Sequence, residues 1–164
     1  MVGYSKIVSE RSFSASIRLS TRSTYGMRAL VELALASGHG PVSATAIAKR
    51  QDLSVAYLEQ LLHRLKKEGL VISVRGPRGG YVLAGDPRRV TMAQVVRILD
   101  GVNGAWDGRG RDGHRRAQRV AQAVWRCVHE RLSQSLDAIT LRDLCDEVRT
   151  VAGEPLDHRY VFHI

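Results

Sequence analysis

The chain has 164 residues, of which 44% are hydrophobic and 25% are charged, a composition typical of a globular protein with one domain of ordinary size plus extensions. It has no apolar run near the ~20 residues of a membrane span and no continuous apolar stretch of a signal peptide. The sequence therefore predicts a cytoplasmic protein without a membrane anchor. Its two cysteines, without a CxxC spacing, exclude a disulfide framework.

The net charge of +9 is concentrated in one part of the chain. Residues 17–100 contain 13 Lys and Arg against 6 Asp and Glu, whereas residues 101–164 contain 10 against 9. An excess of this kind favours binding to nucleic acid, because cationic side chains neutralise phosphates and release their counterions. A charged, well-solvated surface is the other explanation, and the charge alone does not decide between them.

The N-terminal part of the chain predicts an extension followed by two helices. Residues 1–16 are rich in serine and show no sustained hydrophobic period, which indicates a disordered extension. A helix capped by Ser20 or Thr21 follows, in which apolar residues recur at i, i+3, i+4 and i+7. Glycines and a proline end this helix, and Ser43 is placed to cap a short second one.

Residues 54–84, SVAYLEQLLHRLKKEGLVISVRGPRGGYVLA, are the most informative segment. Ser54 caps a third helix with leucines on one face and polar residues on the other, and Gly69 follows its end. Two β-rich runs then flank RGPRGG, a hairpin signal. Because a helix fits the DNA major groove and a basic ribbon tip reaches the neighbouring backbone or minor groove, this order predicts a winged helix-turn-helix.

The C-terminal part of the chain predicts a loop and two further helices after a fourth helix capped by Thr91. Residues 101–113, GVNGAWDGRGRDG, contain five glycines and are predicted to be a loop. A helix about 36 Å long is expected over residues 114–137. Its apolar stripe predicts a dimer formed with the same helix of a second chain, and packing on its own domain is the alternative. The residues predicted for this contact are Val120, Val124, Val128 and Leu132.

A short last helix is predicted to begin at Thr140, which forms a capping box with Asp143. The fold class is thus mainly α with a small β-hairpin wing and a long C-terminal dimerisation helix. We divide the chain into an extension (1–16), a winged helix-turn-helix domain (17–100), a Gly-rich loop (101–113), dimerisation helices (114–150) and a tail (151–164).

The 54–84 segment closely resembles the signature of the BadM/Rrf-two type of winged-helix regulators, the family to which IscR and NsrR belong. LSTRSTYGMRALVELAL, AVWRCVHERL and ITLRDL also look like this family, so the resemblance covers about residues 17–148. It implies a homodimeric bacterial transcription factor, usually a repressor, that binds double-stranded DNA at an inverted repeat. The chain shows no motif of an enzyme, which agrees with this implication.

The resemblance also places DNA-binding residues on the third helix and on the wing. Gln60 suits an adenine edge, Tyr57 suits a phosphate, and Arg75 suits a narrow minor groove. Cations near the first helix, on the third helix and at the wing tip add phosphate contacts. The predicted DNA-binding residues are Arg22, Ser54, Ala56, Tyr57, Glu59, Gln60, Arg64, Arg75, Gly76 and Arg78.

Glu59 is unusual among these residues, because a carboxylate that faces DNA is repelled by the phosphates. It is therefore expected either to read a cytosine amino group or to reject unsuitable sites. A surface salt bridge with Arg64 or His63 is the alternative for Glu59.

Cluster-binding members of the family carry three cysteines between the fourth helix and the long helix, where a 2Fe–2S or 4Fe–4S cluster sits. Residues 101–121 of this chain contain no cysteine. Because iron–sulfur clusters need thiolates, we predict that the chain binds no cluster and no metal.

Two alternatives stay open. One is a regulator that senses redox state or a metal through Cys127 and Cys145 or through His114 and Asp107, although simple packing is expected for both cysteines. The other is a winged helix that binds an acidic protein partner instead of DNA.

Overall fold

The computed structural model describes residues 19–101 and 115–152. These residues form six α-helices, a short 3₁₀ turn at Pro87–Arg89 and a two-stranded antiparallel sheet. The elements are α1 (Thr21–Leu35), α2 (Ala44–Gln51), α3 (Val55–Lys67), β1 (Val71–Val74), β2 (Gly80–Leu83), α4 (Met92–Asp100), α5 (Arg115–Asp137) and α6 (Leu141–Ala152). The predicted fold class is confirmed. The predicted extension, nearly all of the Gly-rich loop and most of the tail lie outside the described residues.

Hydroxyl side chains start most of the helices. Each accepts a hydrogen bond from a backbone N–H of the first turn that has no partner within the helix. The caps are Ser20 for α1, Ser43 for α2, Ser54 for α3 and Thr91 for α4. The predicted caps are confirmed, and of the two candidates for α1 the structure selects Ser20.

The core lies between the first four helices. The four leucines of α3 that share one face, at positions 58, 61, 62 and 65, are buried and pack in one cluster with residues of α1, α2 and α4. Helices α1 and α4 approach closely at Gly26, where a Cβ atom would lie 2.1 Å from Leu99 Cδ1. A Cβ atom at position 26 would force the buried side chain of Leu99 to move, so the close crossing favours glycine.

A backbone bridge of two hydrogen bonds holds the hairpin against the segment between α1 and α2. Strand β1 pairs with β2 from Val71↔Leu83 to Val74↔Gly80, which leaves residues 75–79 as the tip, with 75–78 exposed. Tyr81 N and O form backbone hydrogen bonds of 2.8 and 3.0 Å with Val42, between α1 and α2. At Gly80 a Cβ atom would lie 2.3 Å from Val42 O, so this bridge also requires glycine.

Helix α6 returns to the winged-helix domain, whereas the sequence prediction grouped it with the dimerisation helix. Met92 N donates to Ile139 O at 2.9 Å and Leu141 N donates to Val90 O at 2.8 Å, so backbone pairing brings the chain back to the start of α4. Leu141 and Cys145 are then buried in the same core as the leucines of α3. The physical reason is that the apolar face of α6 packs against core residues of the same chain.

Helix α5 has 23 residues and contacts its own domain near its C-terminal end. There Leu136 packs against the core and Asp137 accepts a hydrogen bond of 3.1 Å from Arg97 on α4. Nearer the N-terminus, the predicted stripe is exposed, with Val120 at 60%, Val124 at 55% and Val128 at 38%. Packing of this stripe on its own domain, the alternative considered above, is therefore not what the structure shows.

Candidate nucleic-acid interface

The outward face of α3 and strand β2 of the wing form the two walls of an open groove. We call it the helix–wing groove. It has a volume of about 640 Å³ and is lined by Ala56, Glu59, Gln60, His63, Arg64 and Tyr81. The structure thus brings four of the predicted DNA-binding residues of α3 together on one surface beside the wing.

The N-terminal turn of α3 places Ser54 and Tyr57 next to each other. Ser54 Oγ accepts a hydrogen bond of 3.2 Å from Tyr57 N, and its own hydroxyl proton stays available for a partner such as phosphate. The Tyr57 ring is half-buried and meets the ring of Tyr25 edge-on, with centroids 6.4 Å apart. Arg28 lies over the other ring, 5.4 Å from the Tyr25 centroid, so α1 supports the position of Tyr57.

The wing tip is cationic and exposed. Arg75 and Arg78 are both exposed, and neither guanidinium makes a hydrogen bond or an ion pair with another of the described residues. Gly76 between them has a φ of +120°, a backbone conformation that favours glycine. Both guanidinium groups can therefore contact an external anion without first breaking a hydrogen bond or an ion pair with another described residue.

Two of the predicted phosphate contacts have partners inside the protein. Arg64 Nη1 donates a hydrogen bond of 2.9 Å to the carbonyl of Leu99, so this side chain ties α3 to the last turn of α4. Arg22 Nε lies 3.8 Å from Asp100 Oδ1. The side chain of Asp100 is only 2% exposed and also accepts a hydrogen bond of 2.8 Å from Ser23 Oγ. These two arginines stabilise the fold whether or not they also contact DNA.

The carboxylate of Glu59 remains open to the helix–wing groove. Among the described residues it forms no ion pair with Arg64 or His63, so the salt-bridge alternative is not what the structure shows. Burial, and secondarily the nearby charge of Glu59, raises the pKa of the Tyr81 hydroxyl above its ordinary value. Glu59 on α3 and Tyr81 on β2 both line this groove.

His63 and Tyr81 line the groove but were not among the predicted site residues. The position of His63 was readable from the sequence, because it follows Gln60 by three residues and Glu59 by four on the same helical face. The placement of Tyr81 was not readable, because it depends on the hairpin register and on the bridge to Val42.

The two cysteines have different environments. Cys145 is 3% exposed in the core, and burial raises the pKa of its thiol. Cys127 is exposed on α5 in the single chain, whereas buried packing was expected for it. His114 and Asp107, the other candidate sensor residues, lie outside the described residues.

The sequence has two thiols that could contribute to an iron–sulfur cluster, Cys127 and Cys145. Such a cluster needs several thiolates at one place, whereas one of the two thiols is buried and held in its protonated form. Across residues 19–101 and 115–152, no three His, Cys, Asp or Glu side chains converge in a way that could hold a metal ion. In the same part of the chain, no helix combines the length and apolar character needed to cross a membrane.

A helix-turn-helix with a polar outward face beside a cationic hairpin defines the class of winged-helix transcriptional regulators. The Rrf2 family, described as iron-dependent transcriptional regulators, matches residues 19–147, and the chain belongs to this family. The predicted resemblance is therefore confirmed. The chain is a bacterial-type transcriptional regulator with a DNA-binding winged helix, and it is not an enzyme.

Individual relatives support the same assignment. The chain is 40% identical over 140 residues to the HTH-type transcriptional regulator IscR of Photorhabdus laumondii, and the match covers 84% of this chain and 85% of that protein. The structure of T. potens IscR is similar with a TM-score of 0.67 and 37% identity, over 88% of this chain and 97% of that one. The structure of CymR, described as the global cysteine regulator of B. subtilis, is similar with a TM-score of 0.66 and 35% identity, over 79% of this chain and 97% of that one.

Proposed function

We propose that the chain acts in the cytoplasm as a homodimer that binds an inverted repeat in double-stranded DNA and represses transcription there. One observation carries this proposal. The outward polar face of α3 shares one groove with strand β2, and the hairpin that β2 belongs to ends in the exposed arginines of the wing tip. A single domain of this kind reads one half-site, and a symmetric pair reads two.

The site residues have distinct roles in this proposal. Gln60 and Ala56 face base edges in the major groove, where an amide pairs with adenine and a small side chain admits close approach. Tyr57 and Ser54 bind phosphates at the N-terminal turn of α3. The wing contacts the minor groove or its backbone through Arg75, Gly76 and Arg78. Arg22 and Arg64 add positive potential, and Glu59 discriminates between sites.

The dimer contact is supported by α5. The exposed valines at positions 120, 124 and 128 recur at helical spacing, and Leu132, which is partly buried, continues the same stripe. An apolar stripe of this length on a helix that leaves its own domain is best covered by the same stripe of a second copy. Repression follows from occupancy of a promoter by such a dimer.

We further propose that regulation does not use an iron–sulfur cluster or another bound metal. The absence of cysteine from residues 101–121 supports this proposal, as does the burial of Cys145. Anaerobically purified full-length protein should show no absorbance between about 400 and 450 nm, the region in which cluster sulfur-to-iron transitions give colour. Absorbance there with matching iron and sulfide would overturn this proposal.

In vitro selection of duplexes with the full-length chain tests DNA recognition. We expect an inverted repeat whose half-sites lie about 10 base pairs, or a multiple of this spacing, apart. Arg75→Ala should weaken binding to every sequence, whereas Gln60→Ala should relax base choice at one position by about 1–3 kcal/mol. If selection enriches no sequence, the proposed specificity is wrong. A reporter gene behind the selected site tests repression.

A further inference from the structure

The geometry of a winged helix restricts the path of one DNA strand. When α3 lies in the major groove and the wing tip reaches the adjacent minor groove, one sugar–phosphate backbone separates these two grooves. This backbone must pass between α3 and the wing. In this protein the helix–wing groove occupies that position, with α3 on one side and Tyr81 of β2 on the other.

We propose that the helix–wing groove receives this sugar–phosphate backbone, and that the Tyr81 hydroxyl and the His63 imidazole donate hydrogen bonds to one of its phosphates. The inference rests on the proposed DNA-binding function and deepens it, because it assigns two further contact residues. It also assigns the groove a single occupant, the phosphodiester backbone of one strand.

Tyr81 is held in place before DNA binds. Its backbone N–H and carbonyl are both bonded to Val42, and its cross-strand partner Ser73 accepts a hydrogen bond of 2.6 Å from Lys66 of α3. The side chain is half-buried, so few conformations are lost when the hydroxyl meets a phosphate. A tyrosine phenol is protonated at neutral pH and able to donate, and the raised pKa of Tyr81 acts in the same direction.

His63 supplies a donor from the opposite wall. It is exposed in the third turn of α3, on the same face as Gln60. An imidazole carries at least one N–H in either protonation state, so it can donate to a phosphate without a change of charge.

The remaining polar groups of the groove fit this occupant with one exception. Arg64 contributes positive charge although it is tied to Leu99, and the Gln60 amide is neutral. Glu59 is the one anionic residue among the six that line the groove, and it opposes a phosphate. Replacement of Glu59 by Gln should therefore strengthen binding to all duplexes.

The test compares full-length Tyr81→Phe and His63→Ala with the wild-type protein on the selected duplex and on an unrelated one. Each variant should weaken binding by about 10-fold or more on both duplexes, as expected for loss of a hydrogen bond to a charged group. His129→Ala, which removes an exposed imidazole of α5 outside the groove, serves as the matched control and should bind as the wild-type protein does. Far-ultraviolet circular dichroism confirms that each variant is folded.

Methylphosphonate substitution then locates the contact on the DNA. One neutral linkage, between the major groove read by α3 and the neighbouring minor groove, should abolish the difference between wild type and Tyr81→Phe. The same substitution at other positions should preserve that difference. If wild type and Tyr81→Phe bind equally at every linkage, the inference is wrong although the proposed function stands. If the wild-type protein itself binds no duplex at low salt, the proposed function fails first.

Discussion

Helices α5 and α6 carry similar apolar stripes but have different surroundings. On α6, Leu141 is fully buried and Cys145 nearly so, because backbone pairing with the start of α4 brings this helix onto the winged-helix core. On α5, the valines at positions 120 and 124 are more than half exposed. An amphipathic stripe therefore indicates that a helix needs a partner, but it does not say whether the partner lies in the same chain.

The largest effect is expected at α6. Leu141→Ala should destabilise the folded chain by about 2–5 kcal/mol, because it leaves a cavity in a core that cannot fully close. The measurement is urea denaturation of the purified protein. Val151→Ala on the exposed side of the same helix is the control, with an expected change within about 0.5 kcal/mol. Equal effects of the two variants would contradict the burial of the α6 stripe.

A charge on α5 tests whether its stripe is covered by a second copy. Val124→Glu should weaken the proposed dimer by roughly 3 kcal/mol, or about a hundredfold in dissociation constant, because a carboxylate would be buried in an apolar contact. Sedimentation velocity over a concentration series measures this change. Gln122→Glu adds the same charge to the opposite face of α5 and should leave association unchanged. A monomeric wild-type protein would remove the dimer from the proposal.

The reactivity of the two thiols also tests the difference in burial between α5 and α6. Cys127 should react with a maleimide at the rate of an exposed thiol. Cys145 should react more slowly, because the reagent reaches it only after local opening of the core. An opening that costs about 3 kcal/mol slows labelling about a hundredfold. Mass spectrometry of tryptic peptides resolves the two sites. Equal labelling of both cysteines would refute the burial of α6.

The smallest effect concerns the capping box that starts α6. Hydrogen bonds from the side chain and then from the backbone N–H of Thr140 lower the pKa of Asp143. A depressed pKa in the folded state means that the carboxylate stabilises the fold above its unfolded pKa and loses this contribution as the pH falls through the folded value. Asp143→Asn should therefore melt below the wild type at pH 7.

Thermal melts of both proteins from pH 7 downward check this expectation. The gap in melting temperature should close as the pH falls below the ordinary aspartate pKa of about 3.9. A gap that stays constant over this range would show that the charge of Asp143 does not contribute.

Local signals in the sequence predicted most of the fold. The caps, the leucine face of α3 and the β-rich runs around RGPRGG each depend on residues within a few positions of one another, so they are readable without tertiary information. The return of α6 to the core was not predicted, because it depends on pairing between Val90 and Leu141, which lie far apart in sequence.

In the candidate site, too, some features depend on local sequence signals and others depend on contacts between distant segments. The outward face of α3 is defined by helical periodicity, so Glu59 and Gln60 were placed from the sequence. The internal bond of Arg64 to Leu99 and the position of Tyr81 depend on contacts between distant segments. Charge and spacing identified which side chains suit DNA, but only the structure shows which of them also hold the protein together.

The backbone pairing between Val90–Met92 and Ile139–Leu141 makes the DNA-reading unit discontinuous along the chain. A fragment that ends at Asp100 lacks Leu141 and Cys145 and exposes the core they cover. The DNA-binding domain is therefore not formed by one continuous segment of the chain. A chimera that transfers this DNA specificity to another regulator must exchange both segments together, and an exchange of residues 17–100 alone would yield an unstable protein.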